Sequence, residues 1–327
     1  MIKLRNPSLV FALLFILSFK VQSQDFPFSQ FYANPLYLNP ALAGSEYCSR
    51  FNLNYRNQWP TLPGAFTAYG LSWDRYSEFL NGGVGLQLHY DKQGEAAISQ
   101  LMISGMYAYK LTISRDVEAN LALQATYGQR GLSLADLVLP SNLRDNTTTP
   151  PTGVSESINY VDFAGGFLVG FSEKYFVGGA VHHPTQPEIG FLLEHQETKM
   201  GMKITLHAGA NFGNDRRYRS SYGSELMVSP NILYQQQGDF KQLNLGSYFA
   251  YEPFVFGLWF RHAFENPDAV ILLVGLQHEQ YRFGYSYDYT VSQFGNAAGG
   301  AHELSFALVI PCDKKSARRG AIKCPSF

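Results

Sequence analysis

Apolar and polar residues take turns along most of this chain with a repeat of two, the period of a β-strand with one greasy and one wet face. In Phe51-Asn52-Leu53-Asn54-Tyr55-Arg56 the odd positions are apolar and the even ones polar. Val84, Leu86, Leu88 and Tyr90 alternate with Gly85, Gln87 and His89, and Val117 to Tyr127 keeps the same rhythm against Glu118, Asn120, Gln124 and Thr126. Met202, Ile204, Leu206 and Ala208 alternate with Lys203, Thr205 and His207; Tyr281, Phe283, Tyr285, Tyr287 and Tyr289 alternate with Arg282, Gly284, Ser286 and Asp288.

Turn residues between such runs divide the chain into about fourteen strands, a count within the range of outer-membrane barrels. They are expected near 49–59, 65–76, 83–92, 98–110, 116–128, 158–171, 174–183, 200–212, 222–235, 240–251, 254–262, 269–277, 280–289 and 302–310. Most approach the length that crosses a bilayer when tilted. The connections have a parity. The short ones (77–82, 111–115, 172–173, 252–253 and 278–279) follow even strands, with 213–221 the one longer exception. The three longest, 129–157, 184–199 and 290–301, all follow odd strands. Outer-membrane barrels keep short turns on the periplasmic side and long loops outside. The expected fold is therefore all-β, a transmembrane antiparallel barrel of outer-membrane type.

The two faces agree with that fold. One carries Asn52, Asn54, Arg56, Asp74, Gln87, Asp91, Glu118, Gln124, Lys203, His207, Gln242, Asn244, Arg282 and Asp288. A dry soluble core would bury these at several kcal/mol for each unpaired charge, whereas a wet or mutually paired lumen need not. The other face places Trp59, Trp73, Tyr90, Tyr107, Tyr109 and Tyr289 near strand ends, as interfacial girdles require.

The amino terminus changes the picture from secreted β-protein to exported barrel. Lys3 and Arg5 precede an uncharged run from Leu9 to Phe19, and Val21-Gln22-Ser23 supplies a cleavage site. That apolar run is too short to span a bilayer. The expected organisation is a signal peptide over 1–23, a periplasmic segment over 24–47, the barrel over 48–311 and a basic periplasmic tail over 312–327, with Lys314, Lys315, Arg318, Arg319 and Lys323. Net charge is −1, which argues against nucleic acid as a partner. Cys48, Cys312 and Cys324 have no CxxC spacing for zinc. One disulfide is expected within this group, with Cys48 and Cys312 near one rim and either able to pair with Cys324.

The segment Phe28-Ser29-Gln30-Phe31-Tyr32-Ala33-Asn34-Pro35-Leu36-Tyr37-Leu38-Asn39-Pro40-Ala41-Leu42-Ala43-Gly44 resembles the amino-terminal signature of the PorP/SprF family of the type IX secretion and gliding machinery of Bacteroidetes. The likeness continues through Tyr55-Arg56-Asn57-Gln58-Trp59-Pro60, Ser72-Trp73-Asp74, Gly83-Val84-Gly85-Leu86 and Asp91-Lys92-Gln93-Gly94. Gly300-Ala301-His302-Glu303-Leu304-Ser305 and the terminal Cys324-Pro325-Ser326-Phe327 complete it. The resemblance implies a non-enzymatic accessory barrel without cofactors. It also implies partners: an adhesin-like secreted cargo, periplasmic secretion components and outer-membrane lipid. The motif positions it singles out are Asn34, Pro35, Asn39, Pro40, Gly44, Arg56, Asn57, Gln58, Trp59, Asp74, His302 and Glu303.

Candidate chemistry is thin. His182, His183, Glu194 and His195 fall in or beside a long connection at spacings that match no tight metal motif. Parity lets only one of His302 and Glu303 face the lumen, and a packing or hydrogen-bonding role is expected there. Arg56 and Asp74 both face inward on adjacent strands and are candidates for a charged lumen network. No Ser/His/Asp set and no phosphate-binding glycine loop is identifiable. Two other readings remain open: a passive channel or ligand transporter, and a membrane-embedded hydrolase.

Overall fold

A computed structural model describes residues 25–94, 98–134, 154–192, 198–213, 226–264, 269–278, 280–291 and 299–312. Fourteen antiparallel strands form one closed barrel, each bonded to its sequence neighbour. They are β1 (Arg50–Gln58), β2 (Phe66–Ser77), β3 (Gly82–Gln93), β4 (Ile98–Thr112), β5 (Val117–Gly131), β6 (Ser157–Phe171) and β7 (Tyr175–His182). The second half comprises β8 (Lys203–Ala210), β9 (Met227–Gln237), β10 (Phe240–Tyr251), β11 (Phe254–Ala263), β12 (Ala269–His278), β13 (Tyr281–Thr290) and β14 (Ala301–Val309). The ring closes where β1 meets β14, from Arg50 opposite Val309 to Gln58 opposite Ala301. Closure leaves no unpaired edge, the condition for strands to stand in hydrocarbon. Among the described residues no helix is long and apolar enough to cross a membrane.

Every expected strand is present, with bounds shifted by a few residues. The largest change shortens β8 and delays β9, so the connection between them runs over 211–226. Phe212 keeps only a single bridge to Val228, and the strands part at Gly213, whose φ is +127°. That connection exceeds 291–300, so parity holds for the two longest connections, 132–156 and 183–202, but not for the third. We call the rim at the starts of odd strands the short-turn rim and the opposite one the long-loop rim.

The outward face is a belt of exposed apolar side chains, including Leu53, Leu71, Leu86, Leu121, Leu123, Phe163, Leu206, Phe256, Leu258 and Leu272. In water so large an apolar surface would drive association; in a bilayer it is the solvated face. Tyr107, Tyr109, Tyr175 and Tyr281 ring its short-turn edge, and Tyr69, Tyr127 and Tyr289 lie at the other. All of the polar residues expected to face inward are buried except Gln124, which is half-buried.

Candidate functional site: the filled lumen

The lumen is occupied by the chain's own amino-terminal segment. Residues 25–44, expected in the periplasm, lie inside the barrel, and Phe28, Phe31, Leu36, Leu38, Ala41 and Leu42 are all buried. The segment is a 3-10 turn (Phe31–Ala33), the short helix α1 (Pro35–Leu38) and a second 3-10 turn (Pro40–Leu42). Proline at the first position of the last two turns is compatible with helical φ and needs no amide donor there. Asn39 closes the break between them: its Oδ1 accepts from the Ala41 amide at 2.9 Å. A chain so punctuated cannot pair as a strand and instead forms a compact arm.

The wall explains why the arm is inside. At mid-height the inward positions are apolar: Leu168, Phe176, Leu233, Trp259, Ile271 and Leu273 form one buried cluster with Phe31, Tyr32, Leu36 and Leu42. The Phe31 ring meets Trp259 edge-on at 5.1 Å, and Tyr32 packs edge-on against Phe176 at 5.8 Å. Burying such side chains contributes about 1.5–3 kcal/mol each, so an empty lumen would leave them wet. The sequence carried this signal in β12, where Ala269-Val270-Ile271-Leu272-Leu273-Val274 is apolar on both faces. A strand facing lipid on one side and apolar on the other must be covered from within.

The arm starts near the long-loop rim and descends. Asp25 sits among His183, Asp162, Lys203 and Gln237. Its carboxylate is 3.0 Å from His183 Nε2 and 3.3 Å from Lys203 Nζ, and its amide donates to Gln237 Oε1 at 2.9 Å. The other nitrogen of His183 lies 2.6 Å from Asp162 Oδ2. Ser29 and Gln30 come next, and both amides donate to Glu303, at 2.7 and 3.1 Å. The Ser29 hydroxyl lies between Arg56 (2.6 Å), Arg261 (2.6 Å) and Asp288 (2.5 Å). Lower down, Gln87 donates to Asn34 Oδ1 at 3.4 Å, and Asn39 Nδ2 donates to the Phe167 carbonyl at 2.9 Å. At the short-turn rim the Gly44 amide donates to Asp74 at 2.8 Å. There the arm's backbone touches the wall: a Cβ on Gly83 would lie 1.9 Å from the Ala43 carbonyl oxygen.

The motif residues thus divide by place. Asn34, Pro35, Asn39, Pro40 and Gly44 belong to the arm; Arg56, Asp74 and Glu303 belong to the wall that receives it. Arg56 does not pair with Asp74. Register sets Arg56 opposite Glu303 and Arg50 opposite Asp74, so Arg56 bonds Asp288 (2.9 Å) and Glu303 (3.1 Å) while Arg50 bonds Asp74 (2.9 Å). Gln58 accepts from Arg56 at 3.3 Å, and Asn57 is half-buried beside it. Trp59 leaves β1 with φ +58° and donates its amide to Gly300 O at 2.8 Å, tying the seam at its long-loop end. Glu303 faces the lumen, whereas His302 turns the other way and meets Tyr285 Oη at 2.8 Å. A Cys48–Cys312 disulfide, Cα atoms 5.6 Å apart, ties the same seam at its short-turn end. Pairing of either with Cys324 is thereby superseded; Cys324 and the basic tail lie outside the described residues, as do residues 1–24, Glu194 and His195.

Sequence reasoning missed Ser29, Gln30 and Arg261, which join the network of Arg56, Asp288 and Glu303, and Asp25, which bonds His183, Lys203 and Gln237. Among the described residues no group of three metal-ligating side chains is assembled. Between the arm and the β3–β8 wall lies a polar cavity of ≈ 30 Å³, lined by Tyr37, His89, Ser104, Gln124, His182 and Lys203 among others. It has room for a water or two, and Nδ1 of His89, Oε1 of Gln124 and Nε2 of His182 lack a protein partner there.

These features define a class: an outer-membrane β-barrel whose lumen is filled by its own amino-terminal arm. The sequence profile of the family described as "Type IX secretion system membrane protein PorP/SprF" matches residues 20–308, and the chain belongs to that family. None of the curated proteins matches it. Among solved structures, the toluene transporter TodX of P. putida is similar at 8% identity and a TM-score of 0.50, over 85% of this chain and 94% of that one. The CymD monoaromatic hydrocarbon channel aligns at 10% identity and a TM-score of 0.47, over 86% of this chain and 94% of that one. At such identities the likeness to TodX concerns the barrel fold alone.

Proposed function

We propose that this protein is an accessory barrel of type IX secretion without enzymatic activity. It holds an exported, adhesin-like cargo protein at its long-loop rim and meets periplasmic parts of the secretion machine at its short-turn rim. The same reading takes residues 1–23 as a cleaved signal peptide and 312–327 as a basic periplasmic tail. One observation carries it beyond family membership: the arm fills the lumen from the short-turn rim to Asp25 near the long-loop rim, so the surfaces free for work are the two ends. A resting channel is disfavoured because the cavity beside the arm holds no more than water.

Deleting the gene and assaying the cell surface tests the proposal. Loss of one set of surface-displayed proteins, with general outer-membrane permeability unchanged, is the expected result. Normal display of every cargo would overturn it. Solute-dependent conductance of the purified wild-type barrel in planar bilayers would favour the channel instead.

A further inference from the structure

Two of the motif positions, Asn57 and His302, point away from the lumen and its arm. Register sets them side by side at the long-loop end of the seam. Across the neighbouring ladders they belong to one outward row: Lys92 on β3, Thr67 on β2, Asn57 on β1, His302 on β14 and Tyr287 on β13. Two residues nearer the middle of the bilayer runs a second row, Tyr90, Tyr69, Tyr55, Leu304 and Tyr285. Two residues further in, Leu88, Leu71, Leu53, Phe306 and Phe283 are exposed and apolar. The outer face of the seam therefore changes in three steps from hydrocarbon to aromatic to hydrogen-bonding.

An interfacial girdle requires the aromatic row. It does not require the polar one above it. Val181, Ile204 and Val270, outward at the long-loop ends of β7, β8 and β12, are apolar. At the seam Lys92 is exposed and has no ion pair among the described residues. Tyr285 Oη lies 2.8 Å from His302 Nδ1, which leaves Nε2 for another partner, and the Tyr287 ring is 5.0 Å from the imidazole. Tyr55 and Tyr69 lean together with ring centres 5.1 Å apart, and Tyr69 meets Tyr90 at 6.4 Å. Neither row contains a carboxylate.

We propose that this face is a binding site for the phosphorylated sugar headgroup of an outer-leaflet glycolipid. Barrels of this type turn their long loops outward, so the polar row stands at the level of the outer headgroups. The Lys92 ammonium supplies the charge for a phosphate. The hydroxyl, carboxamide, imidazole and phenol groups of Thr67, Asn57, His302 and Tyr287 supply the neutral donors and acceptors that sugar hydroxyls need. A simple anionic phospholipid uses the lysine and leaves the others idle. Strands about 4.8 Å apart set Lys92 and His302 on the order of 14 Å from each other, a span wider than one phosphate. The acyl chains lie along the apolar row below. Because the site straddles β14 and β1, the bound lipid also bridges the first and last strands. Nothing in it depends on cargo or on the secretion machine.

The test starts from the full chain purified from outer membranes in mild detergent. It is mixed with lipopolysaccharide of the same membrane, with that lipopolysaccharide stripped of its phosphates, or with phosphatidylglycerol. Bound lipid is read by native mass spectrometry, and heat-modifiable gel migration reports barrel closure. Intact lipopolysaccharide should bind and raise the temperature at which the barrel opens. Removing its phosphates should weaken binding roughly tenfold, as for one charge-assisted contact, and phosphatidylglycerol should bind no better than the stripped form. Asn57→Ala combined with His302→Phe should weaken lipopolysaccharide binding roughly tenfold or more. His262→Phe, at an outward histidine of the same rim on β11, should leave it unchanged. Equal binding of phosphatidylglycerol and lipopolysaccharide, binding of neither, or a double variant that binds as the parent does overturns the proposal. An equal loss in His262→Phe overturns it too. Should the double variant not close, the three lipids compared on the unsubstituted barrel decide alone.

Discussion

The two ends of the lumen hold the same arm by different chemistry. Toward the short-turn rim the arm offers mainly backbone: the Gly44 amide, the Leu42 and Ala41 carbonyls and the close approach of Ala43 to Gly83. Toward the long-loop rim its side chains enter the network, with Asp25, Ser29 and Gln30 set among Arg56, Arg261, Asp288, Glu303, His183 and Lys203. The first end is governed by size and the second by charge. Backbone contact at van der Waals distance tolerates no added atoms, whereas a buried charge tolerates no missing partner.

Substitutions at the two ends should therefore fail for different reasons. The largest effect is expected at the charged end. Arg56→Ala leaves Asp288 and Glu303 without their shared cation and should lower stability by about 3–5 kcal/mol, read from urea unfolding in lipid. A loss below ~1 kcal/mol would mean that charge does not hold this end. Next comes Gly83→Val, which forces atoms into the Ala43 carbonyl and should cost about 1–3 kcal/mol or more. Gly105→Ala, with only Leu86 at 3.9 Å from the new Cβ, serves as the neutral control on the same wall. Equal effects at both glycines would erase the distinction. The smallest effect belongs to Asn120→Ala, which removes one hydrogen bond to Ala41 O and should cost about 1 kcal/mol in the same titration. A result near that for Arg56→Ala would make backbone contacts as decisive as charge.

Much of the wall was legible in the sequence because side-chain direction along a strand is fixed by parity. Asn52, Asn54 and Arg56 face inward, and Leu53 faces out, for that reason alone. Glu303 and His302 divide between the faces as parity requires. The partners were not legible. Arg56 and Asp74 share a face, but a lumen pair also needs equal height. That is set by stagger across the β1–β2 and β1–β14 ladders, which places Arg50 rather than Arg56 opposite Asp74. The seam disulfide has the same origin: closure brings Cys48 beside Cys312, residues 264 apart in the chain.

Alternation by itself determined a strand-built, membrane-spanning barrel with a polar-rich interior, because a period of two lets lipid and lumen be served by the same backbone. The position of residues 25–44 was decided only by the tertiary structure. Their Asn-Pro pairs dictate compact turns and say nothing of where those turns go. The arm lies inside because the closed wall presents apolar side chains at mid-height and paired charges near the long-loop rim. Neither set is satisfied until all fourteen strands have come round and something fills the space between them.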